Sequence, residues 1–340
     1  MEELLKRLTE TWGPSGREAR VRALLQEVLA GRVDEMRVDA LGNLICVKRP
    51  KGAARGRRVM FAAHMDEIGV IVTDIDERGF LRIGMVGGVS PQIAVGQRVL
   101  FENGLVGSVS HEPAPGVDFS RGESNELQFH KLWVDVGARS REEAEKLVGY
   151  GAMAVFHRPL EANEHVFIGK ALDDRAGCAV LAQALLEMDE VGNEVYAVFT
   201  VQEEVGLRGA RTSAYGVDPQ IGFAIDVTGT GDTPKARPMA VKLGGGAAVK
   251  AMDMSLVTPP EIRDLMVERA ERRGIPYQIE VLAMGGTDAG AIHLTRAGVP
   301  SGCISIPTRY LHTPAEMVSK DDMRACVDLV KALAEEPIAL

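Results

Sequence analysis

Residues 58–69 read RVMFAAHMDEIG, and this stretch decides the fold. Its apolar run predicts a buried β-strand that ends at His64, with Asp66 two residues further on. In an open α/β sheet, ligands bind just outside the carboxyl ends of the strands. The stretch therefore predicts an α/β sheet with a candidate functional site at the end of this strand.

The same pattern recurs at three further predicted strand ends. Glu203 and Glu204 follow YAVFTVQ, Asp226 ends IGFAI, and His312 comes soon after GCISI. A chance distribution would also place such side chains at strand starts and in the middle of helices. The four strand ends therefore predict one cluster of acids and histidines at one edge of the sheet.

Each of these pairs also has a simpler interpretation that involves no metal. His64 and Asp66 point the same way in an extended segment, so Asp66 is expected to orient a His64 that binds metal. The alternative is that the pair is only a hydrogen-bonded strand end. Glu203 and Glu204 repel each other and are costly to bury without a cation, unless they form an exposed acidic turn.

Asp173 and Asp174 stand at the start of a predicted helix, in GKALDDRAG. Either acid alone would be explained as a helix cap. The functional interpretation is a carboxylate that bridges two metal ions. Arg175, the next residue, is expected to pair with a neighbouring acid.

Histidine nitrogens and carboxylate oxygens are the ligand types in this set. These ligand types indicate a site for Zn²⁺, Co²⁺ or Mn²⁺. They do not indicate a structural zinc site, which would be rich in cysteine. The four cysteines form no Cys-x-x-Cys pair, and we expect them to be buried, unpaired thiols. Two ions about 3.5–4 Å apart can share a bridging aspartate and activate a water molecule, with a nearby glutamate as general base.

The alternation of predicted strands and helices is interrupted in the middle of the chain. Between about residues 70 and 164, short strand-like runs alternate with turns, and residues 110–128 predict a long loop. We therefore expect a discontinuous α/β domain, residues 1–69 and 165–340, and an inserted β-rich domain, residues 70–164.

Composition excludes several classes of protein. The 340 residues carry a net charge of −9 without a basic run, which argues against binding to a nucleic-acid backbone. No apolar stretch approaches the roughly 18 residues of a membrane helix, and the N-terminus lacks the pattern of a secretory signal. A cytoplasmic protein without nucleic-acid or membrane partners is expected.

Taken together, the motifs resemble those of the TET-type aminopeptidases, including glutamyl and deblocking aminopeptidases, in the MH clan of co-catalytic metallopeptidases. The resemblance runs nearly end to end. It is carried by VDALGNLI (38–45), AHMDEIG (63–69), VDVGARSREEAEKLV (134–148), GKALDDRAG (169–177), VQEEVGLRGA (201–210), AIDVT (224–228), GGTDAGAIH (285–293) and PTRYLHTPAEMVSKDDM (307–323).

The resemblance implies a fold, an activity and a role for each candidate residue. The fold would be a zinc-peptidase-like three-layer αβα domain, with a small barrel-like insertion that mediates oligomerisation into dimers or a tetrahedral dodecamer. The enzyme would remove N-terminal residues from peptides. Glu203 would be the general base and Asp66 would steer His64, while two Zn²⁺ or Co²⁺ ions, with Mn²⁺ as an alternative, would be held by His64, Asp173, Glu204, Asp226 and His312.

Three other functions are compatible with parts of the sequence. A related metallo-carboxypeptidase or amidohydrolase would keep the fold and metals, whereas a metal-independent glycoside hydrolase would leave His64 and His312 unexplained. A non-catalytic assembly protein would be expected to lack part of the ligand set. The sequence leaves open the preferred N-terminal residue, although Arg309 and Lys242 are candidates to attract an acidic one.

Overall fold

A computed structural model describes residues 1–51, 56–112 and 127–339 of the chain. Within these ranges the protein consists of an eleven-stranded mixed sheet flanked by helices and of a closed six-stranded barrel. Most of the loop predicted at 110–128 lies outside the described residues. The remaining elements follow the predicted alternation.

The strands of the main sheet come from both ends of the sequence and flank the barrel. They are β1 (Glu35–Val38), β2 (Leu44–Lys48), β3 (Arg58–His64), β10 (Glu161–Ala162), β11 (Val166–Gly169), β12 (Glu194–Thr200), β13 (Ile221–Thr228), β14 (Ala247–Met252), β15 (Tyr277–Val281), β16 (Ser301–Arg309) and β17 (Glu316–Ser319). The spatial order is β1-β2-β12-β3-β13-β16-β17-β11-β10, and β14 pairs with both β15 and β16.

The helices include long ones that cover the sheet and short ones that lie in connections. They are α1 (Glu2–Glu10), α2 (Ala19–Leu29), α3 (Pro91–Ala94), α4 (Arg141–Leu147), α5 (Leu172–Glu187), α6 (Arg208–Val217), α7 (Pro260–Arg273), α8 (Asp288–Ile292) and α9 (Lys320–Glu335). Within the described residues, no helix combines the length and hydropathy needed to cross a membrane.

The centre of the sheet is parallel and buried on both faces. Strands β12, β3, β13 and β16 run in the same direction, so their carboxyl ends meet at one edge. Alternate residues of β3 face opposite layers: Val59 and Phe61 pack with α5 and α9, whereas Met60 and Ala62 pack with α6 and α8. This alternation produces the three αβα layers.

The barrel is formed by a separate set of short antiparallel strands. These are β4 (Gly69–Ile75), β5 (Leu81–Val86), β6 (Arg98–Phe101), β7 (Val106–His111), β8 (Leu132–Asp135) and β9 (Met153–Phe156), closed in the order β4-β5-β8-β7-β6-β9. Inward-facing residues such as Val72, Leu81 and Val134 form its own core. Strand β10, which falls inside the predicted insertion, instead pairs with β11 of the main sheet.

The structure confirms the predicted fold class, and it contains elements that the sequence pattern did not predict. The N-terminal helix covers Glu2–Glu10, and Trp12 lies beyond its end. Helix α6 and strand β14 were not predicted, because Gly209, Gly216 and the run 244–246 interrupt the periodic pattern in or beside them. All four cysteines are buried and unpaired, as expected.

Candidate metal-binding active site

A cavity of about 890 Å³ opens at the carboxyl ends of the parallel strands. Six of the seven acids and histidines singled out from the sequence as site residues line it, and they come from four different strand ends and from the start of α5. The lining consists of His64, Asp173, Glu203, Glu204, Leu207, Asp226, Val227, Thr228, Gly229, Met254, Ser255, Leu282, Met284, Gly285, Gly286, Thr287, Leu311 and His312.

Two groups of three side chains in this cavity have the spacing of metal ligands. One consists of His64, Asp173 and Asp226, and the other of Asp173, Glu204 and His312. Within each group the ligand atoms lie within 4.8 Å of one another. Asp173 belongs to both groups, so its two oxygens connect them.

His64 is held in one orientation by contacts on both ring nitrogens. Its Nδ1 lies 3.1 Å from the backbone oxygen of Asp66, and its Nε2 lies 3.0 Å from Oδ1 of Asp173. A carbonyl oxygen only accepts hydrogen bonds, so Nδ1 carries a proton, and Nε2 is the ring nitrogen that faces the cavity. Burial lowers the pKa of His64, but the contacts with Asp173 and Asp66 outweigh burial and raise it overall.

Asp66 does not line the cavity but organises the residues that do. Its carboxylate accepts hydrogen bonds from the Ser15 hydroxyl at 2.6 Å and from the backbone N–H groups of Glu203 and Glu204 at 3.0 and 3.2 Å. It also lies 3.4 Å from Nδ1 of His64. One fully buried carboxylate thus fixes the end of β3 relative to the turn after β12.

Glu203 and Glu204 lie in that turn and are buried, which excludes the exposed acidic turn as an interpretation. Their side chains are 12% and 5% exposed. Burial raises the pKa of Glu203 well above its ordinary value and that of Glu204 to about 8, and neighbouring acids add to the effect. Oε2 of Glu203 lies 3.9 Å from Nε2 of His64, so the two side chains face the same space.

Asp226 and Asp288 add further negative charge. Asp226 lies near the end of β13, where burial raises its pKa to about 8. Asp288, at the start of α8, accepts a hydrogen bond from the Thr200 hydroxyl at 2.5 Å, and burial raises its pKa to about 6. Asp288 was not singled out from the sequence as a site residue, although it lies in the GGTDAGAIH motif.

His312 connects the site to the barrel. Its Nδ1 lies 3.0 Å from the backbone oxygen of Gly88, a residue between β5 and β6, which places the proton on Nδ1. Its Nε2 then faces Oδ2 of Asp173 at 3.3 Å and Oε2 of Glu204 at 3.6 Å. The hydrogen bond with Asp173 raises the pKa of His312 to about 10.

Glu316 forms hydrogen bonds with the backbone of two candidate ligands. It was not identified from the sequence as a site residue. Its carboxylate accepts hydrogen bonds from the backbone N–H of Asp173 at 3.1 Å and from that of His312 at 2.9 Å. The peptide bond between Asp173 and Asp174 is cis. Asp174 does not line the cavity, and its carboxylate instead accepts a hydrogen bond from the His64 N–H at 3.1 Å.

The predicted ion pair of Arg175 is formed with Glu67. Nη2 of Arg175 lies 3.2 Å from Glu67 Oε1, and Lys170 contacts the other oxygen of Glu67 at 2.6 Å. Arg175 also donates hydrogen bonds to the carbonyl groups of Leu8, Thr11, Gly13 and Met65. This fully buried guanidinium joins the N-terminal segment to the start of α5.

The chemistry of the cluster fits divalent cations. Oε1 of Glu204 and Oδ1 of Asp288 are buried and have no hydrogen-bond partner among the described residues. Several carboxylates share a desolvated space, and their mutual repulsion disfavours the ionised forms unless a cation is present. Imidazole and carboxylate ligands without thiolates suit Zn²⁺, Co²⁺ or Mn²⁺.

Three residues that the sequence offers as candidates or within the GGTDAGAIH motif do not line the cavity. Arg309 forms an ion pair with Asp232 at 2.6 Å, and neither Arg309 nor Lys242 lines the cavity. His293 follows the last turn of α8 and is also absent from the lining. The lining therefore gives no support to the expectation that Arg309 or Lys242 attracts an acidic N-terminal residue.

Comparison with known proteins shows that this chain belongs to the class of peptide hydrolases that act on the N-terminus of a peptide. An aminopeptidase from the archaeon Desulfurococcus kamchatkensis superposes with a TM-score of 0.92 at 38% identity, covering 98% of this chain and 94% of that one. A TET peptidase of Pyrococcus horikoshii, which can assemble into a tetrahedron or a large octahedral shell, gives 0.86 at 36% identity, covering 98% and 99%.

The family follows from the sequence comparisons. A lysyl aminopeptidase of Pyrococcus furiosus is 36% identical over 98% of this chain and 96% of its own. The M42 glutamyl aminopeptidase family matches residues 42–329. The chain belongs to this family and is an aminopeptidase, which confirms the resemblance found in the sequence.

Proposed function

We propose that this aminopeptidase is a metal-dependent exopeptidase that uses two divalent ions to hydrolyse the first peptide bond of peptides with a free N-terminus. The observation that carries the proposal is the pair of ligand groups that share Asp173. One ion would be held by His64, Asp173 and Asp226, and the other by Asp173, Glu204 and His312. The ions would be Zn²⁺ or Co²⁺, with Mn²⁺ as an alternative.

When bound, the two ions would polarise the scissile carbonyl group and lower the pKa of the attacking water. Glu203 is the proposed general base, because it faces the ligands without belonging to either group of three. It takes a proton from the water as the oxygen attacks the carbonyl carbon. The same proton then passes to the leaving amine as the C–N bond breaks.

Asp66 is proposed as a positioning residue. It fixes the proton of His64 on Nδ1, and it orders the turn that carries Glu203 and Glu204. The hydrogen bond from His312 to Gly88 has the corresponding effect on the second histidine. Both histidines therefore present Nε2 to the cavity, as metal ligation through this atom requires.

Counting the bound ions in matched variants tests the two-metal assignment. Because Asp173 belongs to both groups, Asp173→Asn is expected to lose both ions, whereas Asp226→Asn and His312→Gln each lose one. The measurement is elemental analysis of the purified, dialysed protein, together with aminopeptidase activity before and after chelation. Full activity after complete removal of divalent ions would refute metal dependence, and one ion per wild-type subunit would refute the two-ion site.

We also propose that the chain forms homo-oligomers through the inserted barrel domain, residues 70–164. The assembled TET relative supports this proposal, as does the small size of the barrel core, since small β modules gain stability from a parent domain or partner. The proposed forms are a dimer and a tetrahedral dodecamer. A cytoplasmic location and the absence of nucleic-acid and membrane partners remain predictions from the sequence.

A further inference from the structure

We infer that the cavity selects an uncharged, apolar N-terminal side chain, such as that of leucine or methionine, over glutamate and lysine. The inference rests on the proposed function, because it assumes that the substrate lies with its scissile bond at the ligand cluster. The inference concerns the wall of the cavity beyond the candidate ligands. This wall determines which N-terminal side chain of a substrate fits into the cavity.

The wall beyond the ligands is apolar. Large apolar side chains line it, namely Leu207, Met254, Leu282, Met284 and Leu311, and the polar groups that separate them are hydroxyls and glycine backbone. In the described part of the chain, every charged side chain of the lining belongs to the cluster of candidate ligands and base. Met254 and Met284 are 74% and 59% exposed, so they have apolar surface available to a ligand.

The two methionines lie on loops that are joined by hydrogen bonds. The backbone N–H of Met254 donates to the carbonyl group of Gly285 at 3.1 Å, and that of Thr287 donates to the Ser255 hydroxyl at 3.3 Å. A Cβ on Gly286 would lie 2.9 Å from the Ser255 side chain, so the loops pack closely here. The part of the apolar wall that is formed by the segments after β14 and β15 is thus a defined surface.

Two cations on the neighbouring strands β14 and β16 are already paired. The ammonium group of Lys250 is buried, contacts Glu280 and lies 3.6 Å from Asp253. Arg309 is paired with Asp232, as described above. Neither cation lines the cavity.

One exposed cation lies beside the lining. Arg237 contacts the sulfur of Met284 at 3.2 Å from the solvent side. A water-exposed guanidinium at the rim contributes little to the binding of an acid. It is nevertheless the residue that a glutamyl preference would depend on, so the test includes it.

The energetic argument follows from desolvation. A leucine or methionine side chain gains free energy by burial against the methionines and leucines of the wall. A glutamate would lose hydration there, because the wall offers it no counter-charge. A lysine would find no carboxylate in the wall itself, and the proposed ions would largely neutralise the carboxylates of the cluster.

The first experiment compares aminoacyl p-nitroanilides of leucine, methionine, glutamate and lysine with the metal-loaded enzyme. We expect kcat/KM for the leucyl and methionyl substrates to exceed those for the glutamyl and lysyl substrates by at least about tenfold. A glutamyl or lysyl rate that equals or exceeds the leucyl rate would overturn the inference and leave the proposed function intact. Hydrolysis of none of the four would overturn both.

The second experiment places a charge in the wall. Met284→Lys is expected to reduce the ratio of leucyl to glutamyl kcat/KM by at least about tenfold. The matched control is Val257→Lys, which adds the same charge at a 71% exposed position outside the lining and is expected to change the ratio less than about twofold. An equal shift in both variants would mean that the charge acts at long range and that the wall does not select.

Two further variants complete the test. Met254→Lys repeats the perturbation from the other loop, so the result does not depend on the folding of one protein. Arg237→Ala is expected to leave the substrate order unchanged. A selective loss of glutamyl hydrolysis in Arg237→Ala would assign acid recognition to the rim and overturn the inference.

Discussion

The contact between Gly88 and His312 predicts a large effect from the smallest possible substitution. Gly88 lies in the barrel, and a Cβ at this position would stand 2.6 Å from Nδ1 and 2.8 Å from Cε1 of His312. The φ angle of Gly88 is outside the left-handed region, so alanine meets no backbone penalty there. Gly88→Ala therefore acts through the position of the imidazole ring.

The size of the effect follows from the distances. Ordinary contacts of a Cβ begin at 3.4 Å, so the ring or the barrel loop must move by about 0.8 Å. The same movement lengthens the hydrogen bond from His312 to the carbonyl group of Gly88, which fixes the protonated nitrogen. Because a displacement of about 1 Å in a catalytic array costs up to roughly 10²-fold, we expect kcat to fall by about one to two orders of magnitude.

The assay combines steady-state kinetics with metal analysis and thermal unfolding. The expected result is a lower kcat, weaker binding of one of the two ions and a nearly unchanged Tm. Gly149→Ala is the matched control, since Gly149 is also in the barrel region and a Cβ there meets nothing within 4 Å. Wild-type kcat and metal affinity in Gly88→Ala would refute the argument that the barrel positions His312.

Four other predictions follow from the same structure. Glu203→Gln should retain both ions and lose about 10²–10⁴-fold in kcat, and near wild-type kcat with the ions bound would exclude Glu203 as the base. Peptides with a free N-terminus should be shortened one residue at a time, as followed by mass spectrometry, whereas cleavage of an N-acetylated peptide at an internal bond would contradict an exopeptidase. Arg175→Met should lower the free energy of unfolding by about 3–5 kcal/mol in a urea titration, because it leaves Oε1 of Glu67 and several buried carbonyl groups without their partner, and an unchanged midpoint would show that they find others. Light scattering at micromolar protein with metal should show an oligomer, and a monodisperse monomer would refute the proposed assembly.

The strand ends were predictable from the sequence because an apolar run followed by an acid or histidine is a local pattern. His64, Glu203, Asp226 and His312 each follow such a run, and the parallel sheet brings them to one edge. Asp173 was identified from its motif. The cavity lining therefore contains every predicted ligand.

The supporting residues could not be predicted in the same way. Ser15 contacts Asp66, which is 51 positions away in the sequence. Gly88 and Glu316 both contact His312, which is 224 and 4 positions away from them, respectively. A serine or a glycine in a turn carries no local signal of such a contact, and Glu316 near the start of a strand resembles an ordinary polar residue. Strand β14 was missed because glycines precede it, and its pairing with β15 and β16 depends on segments more than 20 residues away.

The segment before residue 42 lies outside the family match but contacts residues at the candidate site. The family match begins at residue 42, yet the Ser15 hydroxyl touches Asp66, and the carbonyl groups of Leu8, Thr11 and Gly13 receive the buried Arg175. A shortened gene that begins at the family boundary would encode every candidate metal ligand and none of these supports. We therefore expect that an active version of this enzyme needs the N-terminal segment that precedes the family match.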